Sequence, residues 1–176
     1  MGNPAPAGVR VVVLDTALAS LQIAEVDLGI PWNWRIGPAS HQVSDETYVA
    51  QSFTPAGMGL RPFSVAHVEQ PWRVPRSPGD LTIRWARRSR ALAADSWGGL
   101  EVPMAEELEA YEVEILDGAT VKRVLSTATI SAVYASAQQT ADWGSPLAPG
   151  DSLTVRIFQL SALVGRGAPK TVTLTF

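Results

Sequence analysis

The sequence predicts an all-β protein: a β-sandwich over residues 62–176, preceded by a smaller β-rich segment over residues 1–61. Three observations lead there. The later part of the chain carries short runs in which every second residue is apolar, the period of a strand with one buried face. Those runs are bounded by turn pairs such as Asp117-Gly118 and Pro149-Gly150. No stretch shows a convincing helical repeat, and 13 prolines with 14 glycines fit many short elements joined by turns.

Taken in order, residues 9–14 (VRVVVL) are apolar and β-branched and favour a strand. Residues 17–29 fit neither period well; they read as strand or irregular structure. Residues 30–37 (IPWNWRIG) alternate and carry Trp32 and Trp34, so a short strand is expected. Residues 45–53 (DETYVAQSF) suit a strand or a helical turn. The Gly/Pro break at residues 54–62 (TPAGMGLRP) marks the domain boundary. Beyond it, residues 63–68 read as the first sandwich strand, with His67 half-buried on it. Leu81, Ile83 and Trp85 share one face of the second, and Trp85 belongs in the core. Tyr111, Val113 and Ile115 share a face before the Asp117-Gly118 turn, and residues 121–125 return from it. Ile130, Ala132 and Tyr134 mark the fifth strand. Leu153, Val155 and Ile157 mark the sixth, and residues 170–176 (KTVTLTF) complete seven. Each large side chain buried between the layers contributes roughly 1.5–3 kcal/mol relative to exposure.

Bulk properties narrow the function. A chain of 176 residues makes one large or two small domains. With 46% hydrophobic and 18% charged residues it is globular rather than disordered. A formal net charge of −3 argues against nucleic acid as a partner. The absence of cysteine excludes disulfides, zinc fingers and a thiol nucleophile. No apolar run is long enough for a bilayer-spanning helix, so stable membrane insertion is not expected. Residues 9–29 lack the basic lead and long apolar core of a signal peptide. The opening MGNPAPAG reads as a flexible lead-in, and the chain as a piece of something longer.

Leu147, Pro149 and Gly150, followed by an alternating strand, resemble the corner before the sixth strand of fibronectin type III domains. That family typically places a tyrosine where this chain has Leu153, so the tyrosine's hydrogen bond to upstream backbone is missing here. A longer resemblance runs through Trp85, Arg87, Arg88 and Arg90, then Asp95, Ser96 and Trp97, then Val102, Pro103 and Glu106, then Glu109, Tyr111 and Val113. This ordered series is similar to the C-terminal region of the tail-tip proteins of gene transfer agents and related siphophages, the host-specificity or megatron-type tail proteins. The resemblance implies a virion component of the tail tip or baseplate hub, assembled in the bacterial cytoplasm. It implies other tail-tip proteins as partners, a host surface receptor or polysaccharide as target, and a homotrimer in the particle. The upstream hub domains and the glycosidase-like barrel of those large proteins have no counterpart in this length. Hydrolytic activity therefore does not carry over, and a non-enzymatic structural and adhesion module is expected. A carbohydrate-binding module for cell-surface glycan is the alternative.

The remaining constellations are weighed on their chemistry. Residues 61–90 hold seven arginines, including Arg87, Arg88 and Arg90, against Glu69 and Asp80. Arginine forks suit phosphate or anionic glycan. The next stretch, from Asp95 to Asp117, is acidic, and a sandwich brings the second and third strands together. Pairing within the protein or between subunits is therefore favoured over anion binding. Trp97 and Trp143 are placed in loops, as caps of their own domain or as contacts for a partner or glycan. Glu106, Glu107 and Glu109 form a solvated rim rather than an acid-base pair. His41 and His67 lack companions for a metal site, so no metal and no cofactor is expected. Gly165-Arg166-Gly167 is a turn between the last two strands rather than a phosphate loop.

Overall fold

A computed structural model describes residues 21–69, 77–90 and 104–176. The expected strand at residues 9–14 and the residues Asp95, Ser96, Trp97, Val102 and Pro103 lie outside them. The chain divides into two compact units, Met1–Ala56 and Gly57–Phe176.

In the first unit, Glu25–Asp27 form a single 3₁₀ turn. Strands β1 (Trp32–Ile36) and β2 (Val49–Phe53) pair antiparallel, with Trp32 opposite Phe53 and Ile36 opposite Val49. The ambiguity at residues 45–53 resolves into both: residues 45–48 form a turn closed by the Tyr48 N–H to the Asp45 carbonyl, and the strand occupies Val49–Phe53.

The second unit is the sandwich. One layer pairs β3 (Leu81–Arg84) with β6 (Ser131–Tyr134), antiparallel. The other runs β5 (Thr120–Thr127), β4 (Tyr111–Asp117), β7 (Ser152–Ser161). On the far side of β7 lie β9 (Lys170–Thr175) along its first half and the two-residue β8 (Gly165–Arg166) at its end. Sequence neighbours β3 and β4 therefore belong to different layers, as do β6 and β7, so the chain crosses repeatedly between the sheets in a Greek-key path. Alternation drives this. Tyr111, Val113 and Ile115 of β4, Val155 and Ile157 of β7, and Tyr134 of β6 have no exposed surface, and Ile83, Trp85, Leu153 and Leu174 close the same core. The Trp85 ring meets Tyr111 edge-on, with centroids 5.2 Å apart at 68°.

Four expectations are corrected. Residues 63–68 form no strand but a single antiparallel bridge, Ala66 to Ala86. His67 beside it is exposed and holds φ 46°, a left-handed backbone that breaks the extended run. The β4–β5 turn is Gly118-Ala119, one residue later than expected: Asp117 is still paired with Thr120, and Gly118 supplies φ 59° at the first turn position. Gly165 and Arg166 are not turn but strand, opposite Ser161 and Leu160. Gly167 next to them is required by close approach, since a β-carbon there would sit 2.5 Å from the Pro62 carbonyl oxygen.

The fourth correction is a helix, α1 (Ser136–Trp143), where none was expected. Its start is held by two side chains: Gln138 Oε1 accepts the Ala135 N–H at 3.0 Å, and Asp80 Oδ1 accepts the Ser136 N–H at 2.8 Å. Gly144, at φ 87°, ends it, and its N–H bonds back to the Thr140 carbonyl. Helix α1 leads into the corner formed by Leu147, Pro149 and Gly150. There the missing tyrosine hydroxyl is replaced by other ties. Asp151 Oδ2 accepts the Ala148 N–H at 2.8 Å, and the Gly150 N–H reaches the Phe176 carbonyl at 2.8 Å. Fully buried Gln139 accepts the Leu147 N–H at 2.9 Å. The corner is thus fixed to both the helix and the last strand.

Candidate functional site

The arginine block sits where β3 ends and the chain enters the segment before β4. The topology places it beside the acidic approach to β4. Arg90 grips Glu106 with two parallel bonds, Nε to Oε1 at 2.9 Å and Nη2 to Oε2 at 3.1 Å. The Glu106 side chain is only 2% exposed, so the solvated rim expected for it is replaced by a covered ion pair. That carboxylate holds the Arg90 guanidinium charged even more firmly than usual. Arg87 donates to Glu109 Oε1 at 3.2 Å, and the same oxygen accepts from Tyr111 Oη at 3.0 Å. Burial, and then the Glu109 carboxylate, push the Tyr111 phenol above its ordinary value. Glu107 Oε2 accepts the Ala162 N–H at 3.2 Å. The three glutamates therefore face three different partners and do not converge. Arg88 differs from its neighbours: it is exposed, and its guanidinium lies over the Phe63 ring at 5.1 Å.

Trp143 is the last residue of α1 rather than a loop residue, and it is half-buried against the core. Its indole N–H donates to Tyr134 Oη at 2.8 Å. Tyr134 Oη donates to Asp142 Oδ2 at 2.7 Å, and Arg123 clasps both Asp142 oxygens at 2.7 and 2.8 Å. The register explains how Arg123 gets there. The pairing shifts between Ile115 and Leu116, which sets Arg123 opposite the inward Ile115 at the edge of the sheet. The Arg123 hydrogen bonds, and then that of Tyr134, hold the Asp142 carboxyl below its ordinary 3.8. Burial and the adjacent carboxylate push Tyr134 up. Lys122 Nζ stands 5.4 Å above the Trp143 ring. Trp143 thus closes one end of its own domain. Trp97, its companion in the sequence reading, lies outside the described residues.

A third charged cluster, unnoticed in the sequence, covers the outer face of the five-stranded layer. Glu114, 3% exposed, accepts from Arg156 Nε at 2.6 Å and from Arg166 Nη1 at 2.7 Å, while Arg166 Nε donates to Glu112 at 2.6 Å. Both guanidinia lie over Phe158, at 5.7 and 4.6 Å. Glu114 stands directly opposite Arg156 across the β4–β7 pair. The sequence signal was present in Glu112 and Glu114 of β4, Arg156 of β7 and Arg166 of β8, but it needed the pairing register to become legible.

In the N-terminal unit, His41 is exposed, with Nδ1 3.2 Å from Thr47 Oγ1 and 3.4 Å from Asp45. The backbone and hydroxyl of Thr47 hold Asp45 below its ordinary value. The same unit presents the stacked rings of Trp32 and Trp34, with centroids 5.4 Å apart and planes at 18°.

No protein-family model and no curated protein matches the chain. Among solved structures, domains d3–d4 of the rat CD45 extracellular region align with all of this chain and 80% of that one, at 10% identity and a TM-score of 0.43. The FN3tt mutant structure aligns with 65% of this chain and 96% of that one, at 16% identity and a TM-score of 0.41. Likenesses this low carry no argument about function. The assignment of a fibronectin type III-like β-sandwich rests on the strand order and the shared core.

Proposed function

We propose that this chain is a non-enzymatic structural and adhesion module of a phage-like tail tip of the gene transfer agent kind. It docks among tail-tip or baseplate proteins and contributes to host-cell attachment. The ordered resemblance from Trp85 through Val113 supports the setting. The observation that carries the mechanical part is the use made of the charges. Arg87 and Arg90 tie the end of β3 to the approach to β4 through Glu109 and Glu106. Arg123 ties edge strand β5 to α1. Arg156 and Arg166 lock β7 and β8 to β4. Each pair joins elements distant in sequence, and side chains held this way resist shear between strands rather than poise a reaction. Arg88, exposed over Phe63, is open to a neighbouring protein or an anionic glycan.

Imaging of intact particles labelled with an antibody to the sandwich tests the reading. Label at the end of the tail distal to the capsid is the expected result. Label at the capsid, or particles carrying none of this chain, overturns it. Glycan-array binding that is lost in Arg88→Ala would favour the carbohydrate-binding alternative.

A further inference from the structure

Strands β1 and β2 form an amphipathic ribbon. Residues opposite one another share a face, so the register puts Trp32, Trp34, Ile36, Val49, Gln51 and Phe53 on one side. Asn33, Arg35, Ala50 and Ser52 lie on the other, where Ser52 Oγ donates to Asn33 Oδ1 at 2.6 Å. The apolar side is open: Ile36 is 57% exposed, Val49 64% and Phe53 49%. A groove of about 460 Å³ crosses it, lined by Leu21, Trp34, Ile36, Gln51 and Phe53. A two-stranded ribbon is marginally stable in water without a layer against its apolar face.

We propose that this layer is the same ribbon of a second copy of the chain, so that two copies pair face to face through β1 and β2. The inference does not depend on the tail-tip reading. Two arguments select this occupant. The first is area. Ile36, Val49 and Phe53, each about half exposed or more, together with exposed Gln51 and the partly buried Trp32 and Trp34, offer on the order of 500 Å² per copy, hence on the order of 1,000 Å² for a pair, where specific interfaces begin. The second is charge. The face carries no charged residue, so two-fold pairing sets no like charges against each other, and a charged partner has nothing there to recognise. The geometry also suits it: pleated faces stack about 10 Å apart.

Sedimentation and light scattering of the full 176-residue chain, from micromolar to about a hundred micromolar, test it. A concentration-dependent species of twice the 18.8 kDa chain mass is expected. Ile36→Glu should weaken association about tenfold or more by placing a charge in the seam; Arg35→Ala, on the reverse face, should leave it unchanged. Because a glutamate can also disturb the ribbon itself, a second measurement uses the absence of native cysteine. Val49→Cys should be joined into a covalent dimer by a flexible bis-maleimide long enough to span faces about 10 Å apart, and Ser52→Cys should not. Three results overturn the proposal: a monomer throughout, including one whose face is covered by residues 1–20; a dimer that survives Ile36→Glu; or cross-linking through Ser52→Cys as efficient as through Val49→Cys.

Discussion

Gln139 is a polar side chain with no exposed surface, and its position is explained by what it joins. Its Nε2 donates to the Gly79 carbonyl at 2.9 Å and to the Tyr134 carbonyl at 2.6 Å, while Oε1 accepts the Leu147 N–H. One amide thus serves backbone groups from the turn before β3, the end of β6 and the corner before β7. Gln139→Leu preserves volume but removes those bonds, leaving buried backbone groups at about 1–3 kcal/mol each. A loss of roughly 3 kcal/mol or more in urea unfolding is expected. A loss within 0.5 kcal/mol, the level of an ordinary surface change, would show that the amide merely fills space. Nothing in the sequence marked this residue. A glutamine between Gln138 and Thr140 in a polar stretch reads as surface until the helix that aims it inward is recognised.

At the scale of elements, what the sequence conveyed followed the period-2 rule. Strands β3, β4, β7 and β9 were legible because apolar residues alternate along one face of each: Leu81 and Ile83, Tyr111 to Ile115, Leu153 to Ile157, and Val172 and Leu174. Helix α1 was not legible, because an eight-residue helix with one buried side chain has no apolar stripe to detect. That miss displaced Trp143 into a loop. The pairing of Arg87 and Arg90 with the acidic approach to β4 was foreseeable from charge order and topology; the cluster around Glu114 required the register. The link between β5 and α1 has a pH signature. Asp142 is held below 3.8 in the fold, so the folded state binds its proton less readily than the unfolded chain. Its contribution is complete at neutral pH and fades as pH falls from about 4 through the depressed folded value. Wild type should therefore exceed Asp142→Asn in stability at pH 7, with the gap closing below about pH 3.8. A gap of constant size down to pH 2 would mean that the carboxylate's charge is not what ties the helix to the edge strand.

At the scale of the whole molecule, the separation into two units has a consequence for folding. Every residue of the core cluster, from Val65 to Leu174, and every partly buried residue packed on it, belongs to Gly57–Phe176. So do both sheets of the sandwich and all the ion pairs that brace them. A unit with its own core and its own braces has what independent folding requires, and its roughly 120-residue length is typical of a single domain. The ribbon unit stands differently: its strands expose their apolar side chains, so its order depends on what covers them. Expressed alone, residues 57–176 should show a β-type circular dichroism spectrum and one cooperative unfolding transition within about 5 °C of the corresponding transition in the full chain, a shift of about 1 kcal/mol or less for a domain of this size. A helical or disordered spectrum, or a broad transition at low temperature, would mean that the sandwich needs residues 1–56 to fold.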